Sequence, residues 1–321
     1  MKNVIILRDG LSEELSEKVQ KAVESYGYAC CFFQSQEEAG ASDKCEDCEI
    51  LYGQATRILD KLPNLKLLHL GSAGNDAYIN HPYLKEETIL SNSSGAFGVS
   101  IAEHLVMNTL MLLRKMKERV ENQNAHEWKK PEEIYSIINS TVGVVGTGDI
   151  AQEYVRRIKG FLPKKILGFN RSGVSGCDLF DTVATLSHLD DYLPDIDILV
   201  LAVPKTPETN AIINKERLAK MKPTAVLLNV GRGNAVDEDA LADALLAHQI
   251  AGASLDVFQK EPLAKDSRLW DMDTLIITPH ISGNMTLEYT RQRNVEIFLD
   301  QLERYCMGKP LINVVDRSKW Y

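Results

Sequence analysis

Residues 141–151 read Thr141-Val-Gly-Val-Val-Gly146-Thr-Gly148-Asp-Ile-Ala151. A β-branched run breaks into glycines, and apolar residues then return at helical spacing. This order predicts the strand, tight turn and helix of a dinucleotide-binding unit in the G-x-G-x-x-G/A form. Gly146 allows the turn, Gly148 lets backbone amides approach a pyrophosphate, and Ala151 lets helix and strand pack closely. The phosphates would lie at the positive helix N-terminus. A glycine motif taken alone also fits a turn that binds no ligand, but the alternation of strands and helices after it argues against that alternative.

The alternation of strand and helix repeats after this turn. Short apolar runs without polar alternation are typical of parallel strands covered on both faces. The predicted strands are residues 165–169, 181–185, 196–203, 225–230, 251–257 and 275–278. Helices are predicted between them, notably at 214–221 and at 237–248, which opens with acidic residues suited to a helix N-terminus. The pattern predicts one doubly wound α/β domain from about residue 98 to about residue 287.

Three separated segments near the ends of these runs each supply one residue suited to catalysis. They are Asn229-Val-Gly-Arg232-Gly, Asp256-Val-Phe-Gln-Lys-Glu261-Pro-Leu and Thr278-Pro-His280. In an open α/β sheet, strand ends converge on the crevice where ligands bind. We therefore expect Arg232, Glu261 and His280 to meet around one substrate. Taken singly, each has a structural alternative: a turn arginine, a loop carboxylate and a buried, hydrogen-bonded histidine.

The motifs in this part of the chain resemble those of the D-isomer-specific 2-hydroxyacid dehydrogenase family. They are Ala202-Val-Pro-Lys-Thr-Pro-Glu-Thr209-Asn, Met221-Lys-Pro-Thr-Ala-Val-Leu-Leu-Asn-Val-Gly-Arg232-Gly, Val236-Asp-Glu-Asp-Ala-Leu, Ile250-Ala-Gly-Ala-Ser-Leu-Asp256-Val-Phe, Glu261-Pro-Leu and Thr278-Pro-His280-Ile-Ser-Gly283. The resemblance covers nearly the whole chain, densely from residue 141 to 283 and thinly before residue 65. It implies two Rossmann-like or flavodoxin-like doubly wound parallel-sheet domains with a cleft between them. Residues 98–287 would bind the dinucleotide, and residues 1–97 plus 288–321 would form a discontinuous substrate domain.

The N-terminal part agrees with a second, smaller α/β unit. Its predicted strands are residues 4–7, 29–33, 49–52 and 66–70. Ser100-Ile-Ala-Glu103 has the form of a capping box that opens a long helix with apolar residues on more than one face. In relatives the corresponding helix crosses between domains and packs in a two-fold dimer, so we predict a homodimer. His104, in the same helix, is expected to pack or hydrogen-bond at the domain interface.

The resemblance implies hydride transfer between NAD(P)H and a small 2-keto acid to give a D-2-hydroxyacid. Arg232 suits the substrate carboxylate because a guanidinium stays charged and presents parallel donors. His280 suits proton donation to the ketone oxygen because an imidazole titrates near neutrality. Glu261 would orient the imidazole and favour its protonated form.

A second anchor for the substrate carboxylate is predicted near residue 73. Leu70-Gly71-Ser72-Ala73-Gly74-Asn75-Asp76 resembles the family's glycine-rich loop, whose backbone amides face the substrate. The amides of Ala73 and Gly74 are therefore candidate donors, against the alternative of a plain turn. Members that act on phosphoglycerate tend to place an arginine near the position of Gly53. We therefore expect a small unphosphorylated substrate such as glyoxylate, hydroxypyruvate or a short 2-keto acid.

The end of the second strand, Asn170-Arg171-Ser172, indicates the cofactor. An acidic residue here would hydrogen-bond the adenosine ribose of NAD, whereas a nearby arginine accommodates the 2′-phosphate of NADP. NADP(H) is therefore favoured, with NAD(H) as the alternative. By resemblance, Asp256, Thr209 and Pro204 contact the nicotinamide carboxamide, the pyrophosphate and the adenine side. The other predicted cofactor contacts are Gly146, Gly148, Asp149, Ile150, Val203, Val230 and Gly283.

Composition excludes several other classes of protein. The 321-residue chain has a net charge of −9, which together with the lack of a basic stripe argues against nucleic-acid or anionic-membrane partners. We predict no leader peptide and no transmembrane span, and hence a cytoplasmic location. Cys45-Glu-Asp-Cys48 has metal half-site spacing, but no second pair accompanies it, so we interpret the cysteines as structural and predict no metal.

Two alternative functions share these motifs. A dinucleotide-sensing, corepressor-like binding protein can keep the whole catalytic set. Another dehydrogenase chemistry on the same scaffold, such as phosphite or formate oxidation, is the second. Formate-type relatives replace the carboxylate beside the histidine, so Glu261 argues against formate.

Overall fold

The computed structural model describes residues 2–7, 10–130 and 133–320, which group into two compact units. One unit is Met1–Phe97 with Asn284–Tyr321, and the other is Gly98–Gly283. Residues 284–287 therefore group with the first unit, whereas their predicted place was in the second. The physical reason is local contact: Met285 lies beside Gly10, and its carbonyl accepts a hydrogen bond from Arg291 in the C-terminal helix.

The first unit is built on a five-stranded sheet. Its strands are β1 (Asn3–Leu7), β2 (Ala29–Phe33), β3 (Cys48–Tyr52), β4 (Leu67–Leu70) and β5 (Ile89–Asn92), in the order β2-β1-β3-β4-β5. All of these pairings are parallel. The helices are α1 (Glu13–Ser25), α2 (Gln36–Gly40) and the C-terminal helix, Glu288–Cys306. Strand β5 was not predicted, because its polar second half, Ser91-Asn92, does not resemble a buried strand.

The second unit has a seven-stranded parallel sheet. Its strands are β6 (Thr141–Val145), β7 (Lys165–Asn170), β8 (Thr182–Thr185), β9 (Ile198–Leu201), β10 (Val226–Asn229), β11 (Gly252–Leu255) and β12 (Leu275–Ile277). The order is β12-β11-β10-β9-β6-β7-β8, so the chain reverses direction across the sheet between β6 and β9. That reversal is the switch point where doubly wound sheets bind ligands. The predicted α/β fold class, with two doubly wound parallel sheets, is confirmed.

The second unit also contains α-helices. They are α3 (Gly98–Leu113), α4 (Met116–Asn124), α5 (Asp149–Ile158), α6 (Leu189–Tyr192), α7 (Lys215–Leu218) and α8 (Glu238–Leu246). The acidic start predicted for the helix at 237–248 is confirmed, since Asp237 is the N-cap and its side chain accepts from the Ala240 amide. None of the described helices combines the length and apolar character that crossing a bilayer requires.

The predicted capping box at Ser100 is wrong. Helix α3 begins at Gly98, and Ser100 is a buried residue of its first turn. Gly98 packs directly on α5, since a Cβ built at Gly98 would lie 2.2 Å from Oδ2 of Asp149. A carboxylate beside a helix N-terminus stabilises it. At its other end, α3 is separated from α4 by Arg114 and Lys115, and Lys115 has a left-handed φ of 52°.

Cys45 and Cys48 are buried free thiols in the first unit. Each donates a hydrogen bond to a backbone carbonyl, Cys45 to Ala39 and Cys48 to Ile50. Burial raises the pKa of both thiols, so they are poor nucleophiles and poor metal ligands. Among the described residues, no group of three or more His, Cys, Asp or Glu side chains has the arrangement of a metal site.

Candidate active site

The glycine turn lies between β6 and α5 at the switch point of the sheet. Gly146 has a φ of 96°, and a Cβ there would lie 2.3 Å from the Ala202 carbonyl oxygen, so only glycine fits. Gly148 is the N-cap of α5, and the space beside it is open. The amides of Ile150 and Ala151 lie in the first turn of α5, where backbone N–H groups have no partner within the helix and can face an anion. The turn fits the pyrophosphate of a dinucleotide.

The end of β7 is a tight turn organised by Asn170. Its Nδ2 donates to Thr147 Oγ1 in the glycine turn at 2.8 Å and to the Val174 carbonyl at 2.6 Å. Its Oδ1 accepts from the Gly173 amide at 2.7 Å and the Ser172 hydroxyl at 3.2 Å. The side chain of Asn170 therefore shapes the turn, and Arg171 and Ser172 are exposed on it. Arg171 is a positively charged side chain on this turn, and it interacts electrostatically with Glu208.

The loop after β9 carries Val203 and Pro204 and is closed by Thr209. Thr209 is only 4% exposed, and its hydroxyl donates to the Pro204 carbonyl at 2.7 Å. Thr206 and Thr209 form a reciprocal capping box. Thr209 thus rigidifies this loop, and its contact with a pyrophosphate stays a prediction.

Arg232 lies in the loop after β10, between two glycines. Neither glycine position has room for a side chain, because another part of the backbone passes close to it. A Cβ at Gly231 would lie 2.6 Å from the Val203 carbonyl oxygen, and one at Gly233 would lie 1.8 Å from the Phe258 carbonyl carbon. Asn229 adds two hydrogen bonds, accepting from the Gly231 amide and donating to the Arg232 carbonyl. Arg232 is half-buried. The alternative of a surface turn arginine does not fit a loop wedged between the ends of β9 and β11.

His280 and Glu261 form a hydrogen-bonded pair. His280 Nδ1 lies 2.8 Å from Glu261 Oε2, and Glu261 Oε1 accepts from the Phe258 amide at 3.0 Å. The two side chains are 54% and 37% exposed, so the alternative of a buried histidine is wrong. Because Nδ1 faces the carboxylate, Nε2 is the ring nitrogen left for a ligand. The two loops that carry Arg232 and Glu261 meet at Phe258.

Asp256 anchors the loop that carries His280. Asp256 is 1% exposed; its Oδ1 accepts from the Thr278 hydroxyl at 2.6 Å and the Ile281 amide at 3.0 Å, and its Oδ2 accepts from the Ser282 amide at 3.0 Å. Its carbonyl also accepts from the His280 amide at 2.8 Å. His280 has a left-handed φ of 53°, which such a loop must hold in place. This anchoring role was not predicted, although an acid directly after a buried strand is a sequence signal for it.

His104 joins α3 to this loop. Its Nε2 lies 3.3 Å from the Thr278 hydroxyl and 2.8 Å from Asn108 Nδ2. Burial lowers the pKa of His104, against the charge of Asp256, which raises it. His104 is therefore neutral near pH 7 and acts here as a hydrogen-bonding side chain.

In the predicted anion loop of the first unit, the carbonyls of residues 71–73 accept hydrogen bonds from outside the loop, and the Gly74 carbonyl accepts one from within it. The Gly71 carbonyl accepts from Asn294 at 2.8 Å and the Ala73 carbonyl from Asn92 at 2.9 Å. The Ser72 carbonyl accepts from the backbone of residue 93, and the Gly74 carbonyl from the Ser72 hydroxyl. Within the part of the chain that the structure describes, no acceptor faces the amides of Ala73 and Gly74. This is the arrangement that a backbone anion site requires.

Comparisons with known proteins agree with this geometry. The family model "D-isomer specific 2-hydroxyacid dehydrogenase, NAD binding domain" matches residues 106–282. A glyoxylate/hydroxypyruvate reductase B of Shigella boydii is 30% identical and the match covers 98% of each chain. A glyoxylate reductase of Pyrococcus furiosus is 32% identical over 78% of this chain and 76% of its own.

A solved structure extends the similarity to the whole fold. An NADPH-dependent glyoxylate/hydroxypyruvate reductase from Sinorhizobium meliloti, in complex with NADP and sulfate, superposes with a TM-score of 0.83 at 27% identity and covers 100% of both chains. The family model spans more than half of the chain and matches the unit that contains the glycine turn, Arg232, Glu261 and His280. The chain belongs to the D-isomer-specific 2-hydroxyacid dehydrogenases, which are NAD(P)-dependent oxidoreductases.

Proposed function

We propose that this dehydrogenase reduces a small, unphosphorylated 2-keto acid to the D-2-hydroxyacid, with NADPH preferred and NADH as the alternative. The observation that carries the proposal is the His280–Glu261 pair, joined at 2.8 Å, beside the wedged loop of Arg232. A held imidazole and a guanidinium are the proton donor and the carboxylate anchor that ketone reduction requires.

Arg232 would bind the substrate carboxylate. Its backbone is fixed by Asn229 and by the close packing of Gly231 and Gly233, so its guanidinium extends from a rigid point. Two parallel N–H donors would fix the acid in one orientation and polarise the adjacent ketone. The amides of Ala73 and Gly74 are the proposed second anchor.

His280 would give a proton to the ketone oxygen from Nε2. Glu261 accepts at Nδ1 and is itself held by the Phe258 amide, so the ring orientation is set from the protein side. In the oxidation direction the same nitrogen would take the proton from the hydroxyl.

The glycine turn would hold the cofactor. Amides following Gly146 and Gly148 suit the pyrophosphate, and the exposed Arg171 with Ser172 suits a 2′-phosphate. When bound, the reduced nicotinamide supplies the hydride. The remaining predicted contacts are Val203, Pro204, Thr209, Val230, Asp256 and Gly283. The relative from S. meliloti is NADPH-dependent and was solved with NADP, which supports this preference.

A small substrate is supported by the relatives and by Gly53. The similar reductases are named for glyoxylate and hydroxypyruvate. Gly53 has a φ of 130°, and a Cβ there would lie 2.7 Å from the Leu7 Cβ. The backbone at this position therefore excludes the arginine that phosphoglycerate-type members tend to carry.

The test is a spectrophotometric screen of glyoxylate, hydroxypyruvate and pyruvate with NADPH and NADH. The His280→Asn variant should lower kcat by ~10²–10⁴-fold, the usual range for loss of a general acid, and the exposed His188→Asn serves as control. Wild-type turnover by His280→Asn at saturating substrate would exclude His280 as the acid. No turnover with any keto acid, despite NADPH binding, would favour a dinucleotide-sensing protein instead.

We also propose a homodimer in a reducing, cytoplasmic setting. All six cysteines are free thiols, which suits a reducing compartment.

Large apolar side chains are exposed along α3, α4 and the segment after them: Met107, Val120, Trp128, Ile134 and Ile138. Light scattering at micromolar concentration should give the dimer mass, and Met107→Asp should lower it, whereas Val174→Asp, also exposed, should not. A monomeric wild type contradicts the dimer.

A further inference from the structure

The anion loop, residues 71–74, is backed by buried polar side chains from distant parts of the first unit. Asn92 ends β5 and Asn294 lies in the C-terminal helix. Their exposed fractions are 8% and 0%. Burying an amide is costly unless its donors and acceptors are all used, so the partners of these side chains indicate their role.

Asn294 is held in one orientation. Its Nδ2 donates to the Gly71 carbonyl at 2.8 Å, and its Oδ1 accepts from the Tyr52 hydroxyl at 2.5 Å. A carbonyl accepts only, so the amide nitrogen must face Gly71. Ser93 Oγ lies 3.1 Å from Asn294 Oδ1 and 3.2 Å from Nε2 of His69. We call Tyr52, His69, Ser93 and Asn294 the loop-backing network.

Asn92 makes the same kind of contact with the loop carbonyl two residues further along the chain. Its Nδ2 donates to the Ala73 carbonyl at 2.9 Å, and its Oδ1 accepts from the Ser94 amide at 3.1 Å. The side-chain amide of Asn92 is therefore used at both ends, and its donor nitrogen is fixed toward the loop.

These contacts set the direction of the amides by simple peptide geometry. In a trans peptide, the N–H of one residue points opposite to the C=O of the residue before it. Holding the Ala73 carbonyl inward turns the Gly74 N–H outward, and holding the Gly71 carbonyl inward does the same for the Ser72 N–H. The carbonyl of residue 72, held by the Ser93 amide at 3.0 Å, turns the Ala73 N–H outward. Three successive amides then share one side of the loop, which is an anion-binding concavity.

We propose that Asn92 and Asn294 are positioning residues for the reaction, which orient the amides of residues 72–74 toward the substrate carboxylate. The inference rests on the proposed function of this loop as the second anchor. Neither asparagine touches substrate; each acts through a backbone carbonyl. The binding energy of the acid therefore depends on side chains that the catalytic motifs do not include.

The test compares variants that remove a carbonyl contact with one that does not. Asn92→Ala and Asn294→Leu each remove a donor to the loop. Tyr52→Phe is the matched control, because it removes a buried partner of Asn294 but leaves both contacts to the loop. The readouts are kcat and KM for the keto acid found in the screen, the Kd of NADPH and the Tm.

Loss of uniform substrate binding raises KM and leaves kcat unchanged. We expect Asn92→Ala and Asn294→Leu to raise the keto-acid KM about 10-fold or more. The Kd of NADPH should not change, because its predicted contacts lie between residues 146 and 283. Tyr52→Phe should lower Tm without changing KM. If Tyr52→Phe raises KM as much as Asn294→Leu at equal loss of Tm, the role is only structural and the inference is wrong.

Ala73→Pro separates this inference from the proposed anchor, since it removes the Ala73 amide proton. An unchanged KM in Ala73→Pro would contradict the anchor itself. A raised KM there, with wild-type KM in both asparagine variants, would overturn only the positioning role. If Ala73→Pro or Asn294→Leu does not fold, Asn92→Ala still tests positioning. Oxalate titrated into wild type labelled with ¹⁵N-alanine and ¹⁵N-glycine then tests the anchor, through shifts of the Ala73 and Gly74 amide signals.

Discussion

Replacing Asp256 by asparagine should disorganise the loop that carries His280. The carboxylate accepts three hydrogen bonds, from the Thr278 hydroxyl and from the amides of Ile281 and Ser282. The substitution preserves the shape of the side chain but turns one acceptor oxygen into a donor. At least one N–H or O–H of the loop then faces an NH₂ group.

The magnitude follows from the number of contacts and the burial. One hydrogen bond to a charged group is lost, about 1.5–3 kcal/mol, and one buried donor is left unpaired, about 1–3 kcal/mol. Asp256 is 1% exposed, so water cannot replace the lost partner. The free energy of unfolding should therefore fall by about 2.5–6 kcal/mol. Because His280 needs a held loop to keep its left-handed backbone, kcat should fall by roughly 10²-fold as well.

The assay is urea denaturation followed by steady-state kinetics, with the Kd of NADPH measured separately because Asp256 is also a predicted nicotinamide contact. Thr278→Val is the matched control. It removes one donor and leaves the carboxylate with two N–H partners, so it should cost only about 1 kcal/mol. If Asp256→Asn changed NADPH affinity alone, with unfolding free energy and kcat as in wild type, the anchoring argument would be refuted.

Three further outcomes are expected. Arg232→Lys should lower kcat/KM for the keto acid by about 10²-fold or more, because an ammonium cannot reproduce two parallel donors; wild-type kinetics would remove Arg232 from the mechanism. Arg171→Ala should lower kcat/KM with NADPH by about 10-fold or more and leave the NADH value unchanged; an equal loss with both cofactors would contradict a 2′-phosphate contact. Burial lowers the pKa of His69 from 6.5 to about 3. Between these pH values the unfolded chain binds a proton that the folded chain does not bind. The contribution of His69 to the free energy of unfolding is therefore fully present above pH 6.5 and is lost as the pH decreases. Relative to His69→Gln, wild type should lose about 2 kcal/mol of unfolding free energy between pH 6.5 and pH 5, and parallel pH profiles in urea denaturation would show that His69 is not the group responsible.

Local features of the fold were predictable because their physical causes are local. Gly146 needs a positive φ and a close neighbour, and the β-branched run before it needs burial, so the strand and turn are visible in eleven residues. The six strands predicted after the turn all form, with ends shifted by at most two residues. Strand β5 and the start of α3 were missed, because each depends on a partner elsewhere: β5 on β4, and Gly98 on Asp149.

The candidate site likewise has features that the sequence shows locally and features that depend on distant contacts. By itself, the sequence determined which residue types can do the chemistry, because Arg232, Glu261 and His280 follow apolar strands whose carboxyl ends share one edge of a parallel sheet. Only the tertiary structure decided how those groups are held: Arg232 by backbone approach at Val203 and Phe258, and His280 by Asp256. The contact between Tyr52 and Asn294 spans 242 positions. A hydrogen bond over that separation leaves no pattern in the sequence, since periodicity reports which face of an element is buried and not which distant atom it meets.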